Sequence, residues 1–138
     1  MKRDMFASCL CGALHATIAD DAEPMTILCH CIDCQKRTGS PFGVMAYFAR
    51  TLVTIEGEAR EFARPTDAGN VFTTGFCPEC GSTLFARASK YPDIVGITLG
   101  TIADPAFPAP ARSVYEQSRH HWVKLPDSIP RHPRGRDS

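Results

Sequence analysis

The chain has 138 residues, 43% hydrophobic and 22% charged, which suits one globular domain with a core and is short for two. Fifteen basic residues balance fifteen acidic ones, so the basic face of a nucleic-acid binder is not expected. No apolar run approaches the roughly 18 residues of a membrane span, and no apolar segment follows Met1-Lys2-Arg3-Asp4, so neither a membrane anchor nor a secretory signal is expected and the cytoplasm is the expected compartment.

The first punctuation is Cys9-Leu10-Cys11-Gly12. Residues 13–18 then alternate, with Leu14, Ala16 and Ile18 on one face and His15 and Thr17 on the other, the period of a half-buried strand. His15 is read as a polar-face residue. A turn over residues 20–24 leads to an extended run, 25–28, and into Cys29-His30-Cys31-Ile32-Asp33-Cys34. One helical turn is predicted in residues 35–41, stopped by Gly39 and Pro41. Strands are predicted over 43–49, 52–55 and 59–63, and residues 64–70 read as a loop. The runs 71–76 and 82–86 flank Cys77-Pro78-Glu79-Cys80-Gly81 and predict a hairpin with a metal knuckle at its tip. The last strands are predicted at 94–99 and 114–123, the second of them including His120, His121 and Trp122. Between them a proline-rich crossing, 104–110, cannot be a central strand. Residues 131–138, with Arg131, Arg134 and Arg136, are expected to be disordered. Short strands and Gly/Pro turns without long helical periodicity predict a mainly β chain of several antiparallel sheets.

All seven cysteines fall in the three groups just named. Seven is odd, so a complete disulfide framework is excluded, and in a reducing compartment clustered cysteines read as metal ligands. The two-residue gap of Cys77 and Cys80 lets both sulfurs face one ion from a tight turn, and no βαβ pattern surrounds them to suggest a redox pair. A knuckle gives two ligands. Cys9 and Cys11 can complete a four-thiolate site, and so can Cys31 and Cys34; spacing alone does not choose. If the first pairing holds, Cys29, Cys31 and Cys34 remain as three thiolates with an open position, the pattern of a reactive site rather than a closed structural one.

Other side chains near these groups have two readings each. His30 is a possible fourth ligand, although three consecutive ligands are sterically awkward. His120 and His121 are strand residues or a second-site ligand or base. Asp33, Lys36 and Arg37 are surface residues of the knuckle, and Lys36 or Arg37 can alternatively hold a substrate carboxylate. Charge decides what chemistry an open three-thiolate zinc favours, because ion and ligands together carry about −1. Water activation is then disfavoured, whereas an incoming thiol can bind as thiolate. The expectation is thiol handling: a substrate sulfur held while it joins or leaves carbon.

Three segments carry a resemblance: Ser8-Cys9-Leu10-Cys11-Gly12, the run from Cys29 to Ser40, and Phe76-Cys77-Pro78-Glu79-Cys80-Gly81-Ser82. With Tyr115-Glu116, Arg119-His120-His121-Trp122-Val123, Leu125-Pro126-Asp127 and Ile129-Pro130 they resemble the glutathione-dependent formaldehyde-activating enzyme family, the CENP-V/GFA domain family. The resemblance implies an Mss4-like fold over residues 5–130 and two zinc ions per chain. It implies a structural zinc on Cys9, Cys11, Cys77 and Cys80, and a second, catalytic zinc on Cys29, Cys31 and Cys34. The implied activity is that of a carbon–sulfur lyase of the S-(hydroxymethyl)glutathione synthase kind, with a small thiol such as glutathione as partner and formaldehyde or another small carbonyl compound as co-substrate. The alternatives are a non-catalytic zinc-binding interaction domain, as the Mss4-like and CENP-V relatives suggest, and a thiol redox sensor.

Overall fold

A computed structural model describes residues 4–138, and the chain is mainly β, as expected. Ten strands are named among the described residues: β1 Met5–Ser8, β2 His15–Ile18, β3 Met25–Cys29, β4 Gly43–Ala49, β5 Val53–Glu56, β6 Arg60–Pro65, β7 Val71–Phe76, β8 Thr83–Ala88, β9 Ile94–Thr98 and β10 Arg112–Val114. Two short helices accompany them, α1 Ile32–Thr38 and α2 Leu99–Ile102. The described residues form two compact units. One comprises the chain up to Pro24 with Ala46–Pro105, the other Met25–Met45 with Ala106–Ser138.

In the first unit, β1, β2 and β5 form an antiparallel three-stranded sheet, with Ser8 opposite His15 and Ile18 opposite Val53. The alternation of the second strand is realised: Leu14, Ala16 and Ile18 are fully buried. β1 was not foreseen, because a four-residue strand leaves too short a period to read. β9, β8, β7 and β6 are neighbours, in that order, in a second sheet of seven strands. Its β7–β8 hairpin carries a register shift at Gly75/Phe76, where the Phe85 ring covers Gly75 so closely that a Cβ there would lie 2.1 Å from it. Leu84, Ile97 and Phe48 complete the core of this unit.

In the second unit β10 pairs with β3 in parallel, Val114 opposite Cys29, so the seven-stranded sheet is mixed rather than purely antiparallel. The long excursion between the two strands lets the chain re-enter in the same direction, which a tight hairpin forbids. α1 starts three residues earlier than predicted, because the Cys31 sulfur accepts the Cys34 N–H at 3.3 Å and caps the helix. It ends where predicted, with Gly39 in the left-handed region at φ 67 and its N–H on the Gln35 carbonyl at 2.8 Å.

The structure differs from expectation at two places in this unit. The strand predicted over 114–123 ends at Val114, because Tyr115 turns left-handed at φ 57 and opens a 3-10 turn, Glu116–Ser118. His120, His121 and Trp122 therefore lie outside any strand. Residues 131–138, expected to be disordered, are tied along β10. Ser113 donates to the Pro130 carbonyl and His132 to the Ser113 carbonyl, both at 2.9 Å, and Tyr115 donates to the Arg134 carbonyl at 2.8 Å. Composition misled here: the tail has few apolar residues, yet its backbone supplies the partners that an edge strand needs.

Candidate metal centres

Two hairpin tips of the first unit carry four of the cysteines. Cys9 and Cys11 lie in the β1–β2 connection. There the Cys9 N–H meets the Leu14 carbonyl at 2.9 Å, and the Leu14 N–H meets the Cys9 sulfur at 3.3 Å. Cys77 and Cys80 lie in the β7–β8 connection, closed by Cys77 N–H to Ser82 O at 3.0 Å and Gly81 N–H to Cys77 O at 2.8 Å. Gly12 and Gly81 take φ 86 and 79, which lets each chain fold back beneath its sulfurs. The four sulfurs all lie within 4.8 Å of one another, with Cys9 to Cys11 at 3.7 Å and Cys11 to Cys77 at 3.6 Å.

That spacing fits a metal. Four sulfurs about 2.3 Å from one tetrahedral ion lie about 3.8 Å apart. The Ala13 backbone N–H favours a Cys11 thiolate, but the neighbouring sulfurs, Cys77 foremost, outweigh it and push the thiol up to about 12. The Ser82 hydroxyl, then the backbone N–H groups of Ser82 and Cys11, draw Cys80 down to about 5. Without a cation these sulfurs cannot all ionise side by side.

The second unit gathers the other three. Cys29 ends β3, Cys31 caps α1 and Cys34 lies one turn into it, and their sulfurs lie within 4.8 Å of one another. Hydrogen bonding to Cys31, then to Cys34, pushes the Cys29 thiol far above its ordinary value, with burial adding to it. Both sets are suited to hold a metal ion. The second offers three donors and leaves a fourth position to something else.

His30 does not join these sulfurs. It is fully buried, and its Nε2 lies 2.9 Å from the Ser113 hydroxyl and 3.1 Å from the Glu116 carboxylate. Ser113 donates to Glu116 at 2.5 Å, and Arg119 Nε donates to the other Glu116 oxygen at 3.1 Å. Burial holds His30 below the usual imidazole range against the pull of Glu116, so the ring is neutral. Its Nδ1 is buried without a partner, which suits a bare lone pair better than an N–H and places the hydrogen on Nε2. For Glu116, burial pushes upward, but the Ser113 bond and the charges of Arg119 and Arg131 outweigh it and hold the carboxyl low.

Gln35, directly after Cys34, donates from Nε2 to the carbonyls of His30 at 2.7 Å and Ser118 at 3.1 Å, and its Oε1 meets His120 Nε2 at 2.9 Å. Of the residues given two readings, Arg37 packs against Gly43, where a Cβ would lie 2.6 Å from Nη2, and Lys36 is exposed. His15 stays on its polar face, 3.8 Å from Glu56. Sequence reasoning assigned no role to Gln35, Ser113 or Glu116. Their partners lie 83 to 85 positions away or across a turn that no local pattern announces.

Residues 4–118 match the family described as glutathione-dependent formaldehyde-activating enzyme. The chain belongs to that family. The match spans all seven cysteines and ends at Ser118, just before His120. No curated protein matches the chain. Among solved structures it is similar to a structural-genomics crystal structure of a Rhodobacter sphaeroides protein, at 17% identity and a TM-score of 0.53, over 92% of this chain and 99% of that one. At that identity the likeness speaks for the fold alone. No helix among the described residues is long and apolar enough to cross a membrane.

Proposed function

We propose that the protein is a cytoplasmic, zinc-dependent carbon–sulfur lyase acting on the adduct of a small thiol, of the glutathione type, with formaldehyde or another small carbonyl compound. Zinc is the metal that suits all-sulfur donor sets at this spacing. Cys9, Cys11, Cys77 and Cys80 would hold one ion in a closed, structural role, and Cys29, Cys31 and Cys34 would hold the second. The observation that carries the reading is the gathering of those last three sulfurs, with the other four cysteines grouped elsewhere. Bound there, zinc supplies a positive centre that favours an incoming thiol in its thiolate form, while three anionic ligands blunt its power to activate water.

The chain's own residues do the rest. Cys31 ties the site to the start of α1 through its bond from the Cys34 N–H. His30, buried against Ser113 and Glu116, fixes the two-residue reach between Cys29 and Cys31. Gln35 holds the His30 carbonyl from the other side. The three sulfurs thus keep their spacing without help from a fourth protein ligand, which leaves room for substrate.

The test is exchange NMR of glutathione with formaldehyde, with and without protein loaded with two zinc ions, and with Cys31→Ser as control. Faster exchange that the variant loses is the expected result. Exchange unchanged by the wild-type protein would retire the formaldehyde reading.

A further inference from the structure

We propose that His120 carries the proton in this reaction and that Gln35 sets its tautomer; the inference rests on the function proposed above. The logic starts from the amide. Gln35 Nε2 has two hydrogens, and both are committed to carbonyl oxygens, at His30 and Ser118. The orientation of the amide is therefore fixed, and Oε1 can only accept. The atom 2.9 Å away, His120 Nε2, must donate. In a neutral imidazole the hydrogen then sits on Nε2, and Nδ1 keeps its lone pair. A ring so held is a ready base at one nitrogen and an anchored donor at the other, the arrangement in which one group orients another that moves a proton.

Its place in the fold matches the task. Gln35 follows Cys34 directly, and the carbonyl it holds belongs to His30, between Cys29 and Cys31. One side chain thus ties His120 to the loop that carries all three sulfurs. His120 itself is exposed and can meet a small substrate, and the Trp122 ring stands edge-on to it at 5.9 Å, limiting its swing. The Gln35 bond picks out His120 from its neighbour His121.

The step balances without any redox partner. The substrate thiol gives its proton to His120 Nδ1, and the imidazole becomes imidazolium with Nε2–H still on Gln35. The sulfur's electron pair forms the bond to the carbonyl carbon, and the C=O π pair moves to oxygen. That oxygen takes the proton back from Nδ1–H, giving the hydroxymethyl thioether and neutral His120. Run backwards, the same moves cleave carbon from sulfur.

Two readouts test this on the zinc-loaded protein. The first, independent of activity, is the long-range ¹H–¹⁵N spectrum of the histidines. His120 is expected as the Nε2–H tautomer in the wild type and as a mixture in Gln35→Leu. A wild-type His120 with its hydrogen on Nδ1 overturns the proposal. The second is the glutathione–formaldehyde exchange rate. His120→Asn should lower the protein-dependent rate about 100-fold, the usual scale for a general acid–base, with zinc content and melting temperature unchanged, while His121→Asn should leave the rate as it was. If the wild type accelerates exchange and His120→Asn does so equally well, this inference fails and the lyase reading stands. If the wild type does not accelerate exchange, both fail together.

Discussion

Replacing Glu116 by alanine should loosen the second unit and weaken the metal site proposed there together. The carboxylate accepts the Ser113 hydroxyl at 2.5 Å, lies 3.1 Å from the fully buried His30 and accepts Arg119 Nε at 3.1 Å. A hydrogen bond to a charged, largely buried acceptor contributes about 1.5–3 kcal/mol. The arginine contact is 28% exposed at its own end, so it adds less than about 1 kcal/mol. The sum is about 2–4 kcal/mol, and alanine leaves the buried Ser113 hydroxyl with His30 as its remaining partner. Because Cys29 and Cys31 flank His30, the affinity of the three-sulfur site for zinc should fall about tenfold, as it does when groups that orient ligands are removed. Urea melts of the loaded protein give the first number, and competition with a coloured chelator gives the second. A Glu116→Gln variant keeps an acceptor and should fall between. The low carboxyl of Glu116 also sets a sign: its contribution is complete above the ordinary carboxylate range and fades as pH drops below about 4. Wild type and Glu116→Gln should therefore converge in stability in acid. A melt within about 0.5 kcal/mol of wild type for the alanine variant, with chelator competition unmoved, would refute the reasoning.

Cys77→Ser should lower the melting temperature sharply, because metal at a closed site contributes to folding, whereas Cys34→Ser should mostly spare the melt and remove one zinc per chain by metal analysis; equal melting losses would contradict the four-plus-three division. Gly75→Ala should destabilise by about 1–3 kcal/mol, because the new methyl meets the Phe85 ring; an unchanged urea midpoint would show that the ring moves aside freely. Arg87→Ala removes a paired contact to Glu61 at 2.8 and 2.9 Å, but both groups are more than 40% exposed, so the loss should stay below about 1 kcal/mol and vanish in about 1 M salt.

What could be read in advance divides along physical lines. The hairpin 71–76 with 82–86, the buried face of Leu14, Ala16 and Ile18, and the end of α1 at Gly39 all depend on interactions within a few residues, and all were legible. So was the grouping of cysteines into tight turns. The start of α1 was not, because a sulfur acts as its cap and propensity scales give cysteine no such role. The break after Val114 was hidden for a different reason. Tyr115 adopts a left-handed backbone that no local preference announces, and Glu116 there turns back toward His30. The tail misled because its order rests on main-chain bonds, to which composition is blind. Within the site, the three cysteines were visible and their setting was not. A His–Ser–Glu contact spanning 83 positions leaves no period in a sequence.

The separation along the chain also bears on why two sulfur sets would serve different ends. Cys11 and Cys77 are 66 positions apart, while Cys29 and Cys34 are five apart. Closing the longer loop costs about 2 kcal/mol more chain entropy than closing the shorter. An ion gripping the first set must offset that cost, so part of its binding free energy is spent in holding two hairpin tips together. An ion on the second set joins residues that one strand end and one helical turn already place side by side. Little of its binding is committed to the fold, and losing or exchanging a ligand there threatens little structure. A closed site is thus where the chain needs a rivet, and an open one is tolerable where local geometry has done the assembly. That difference would suit the reaction proposed above, in which ligands enter and leave the second site.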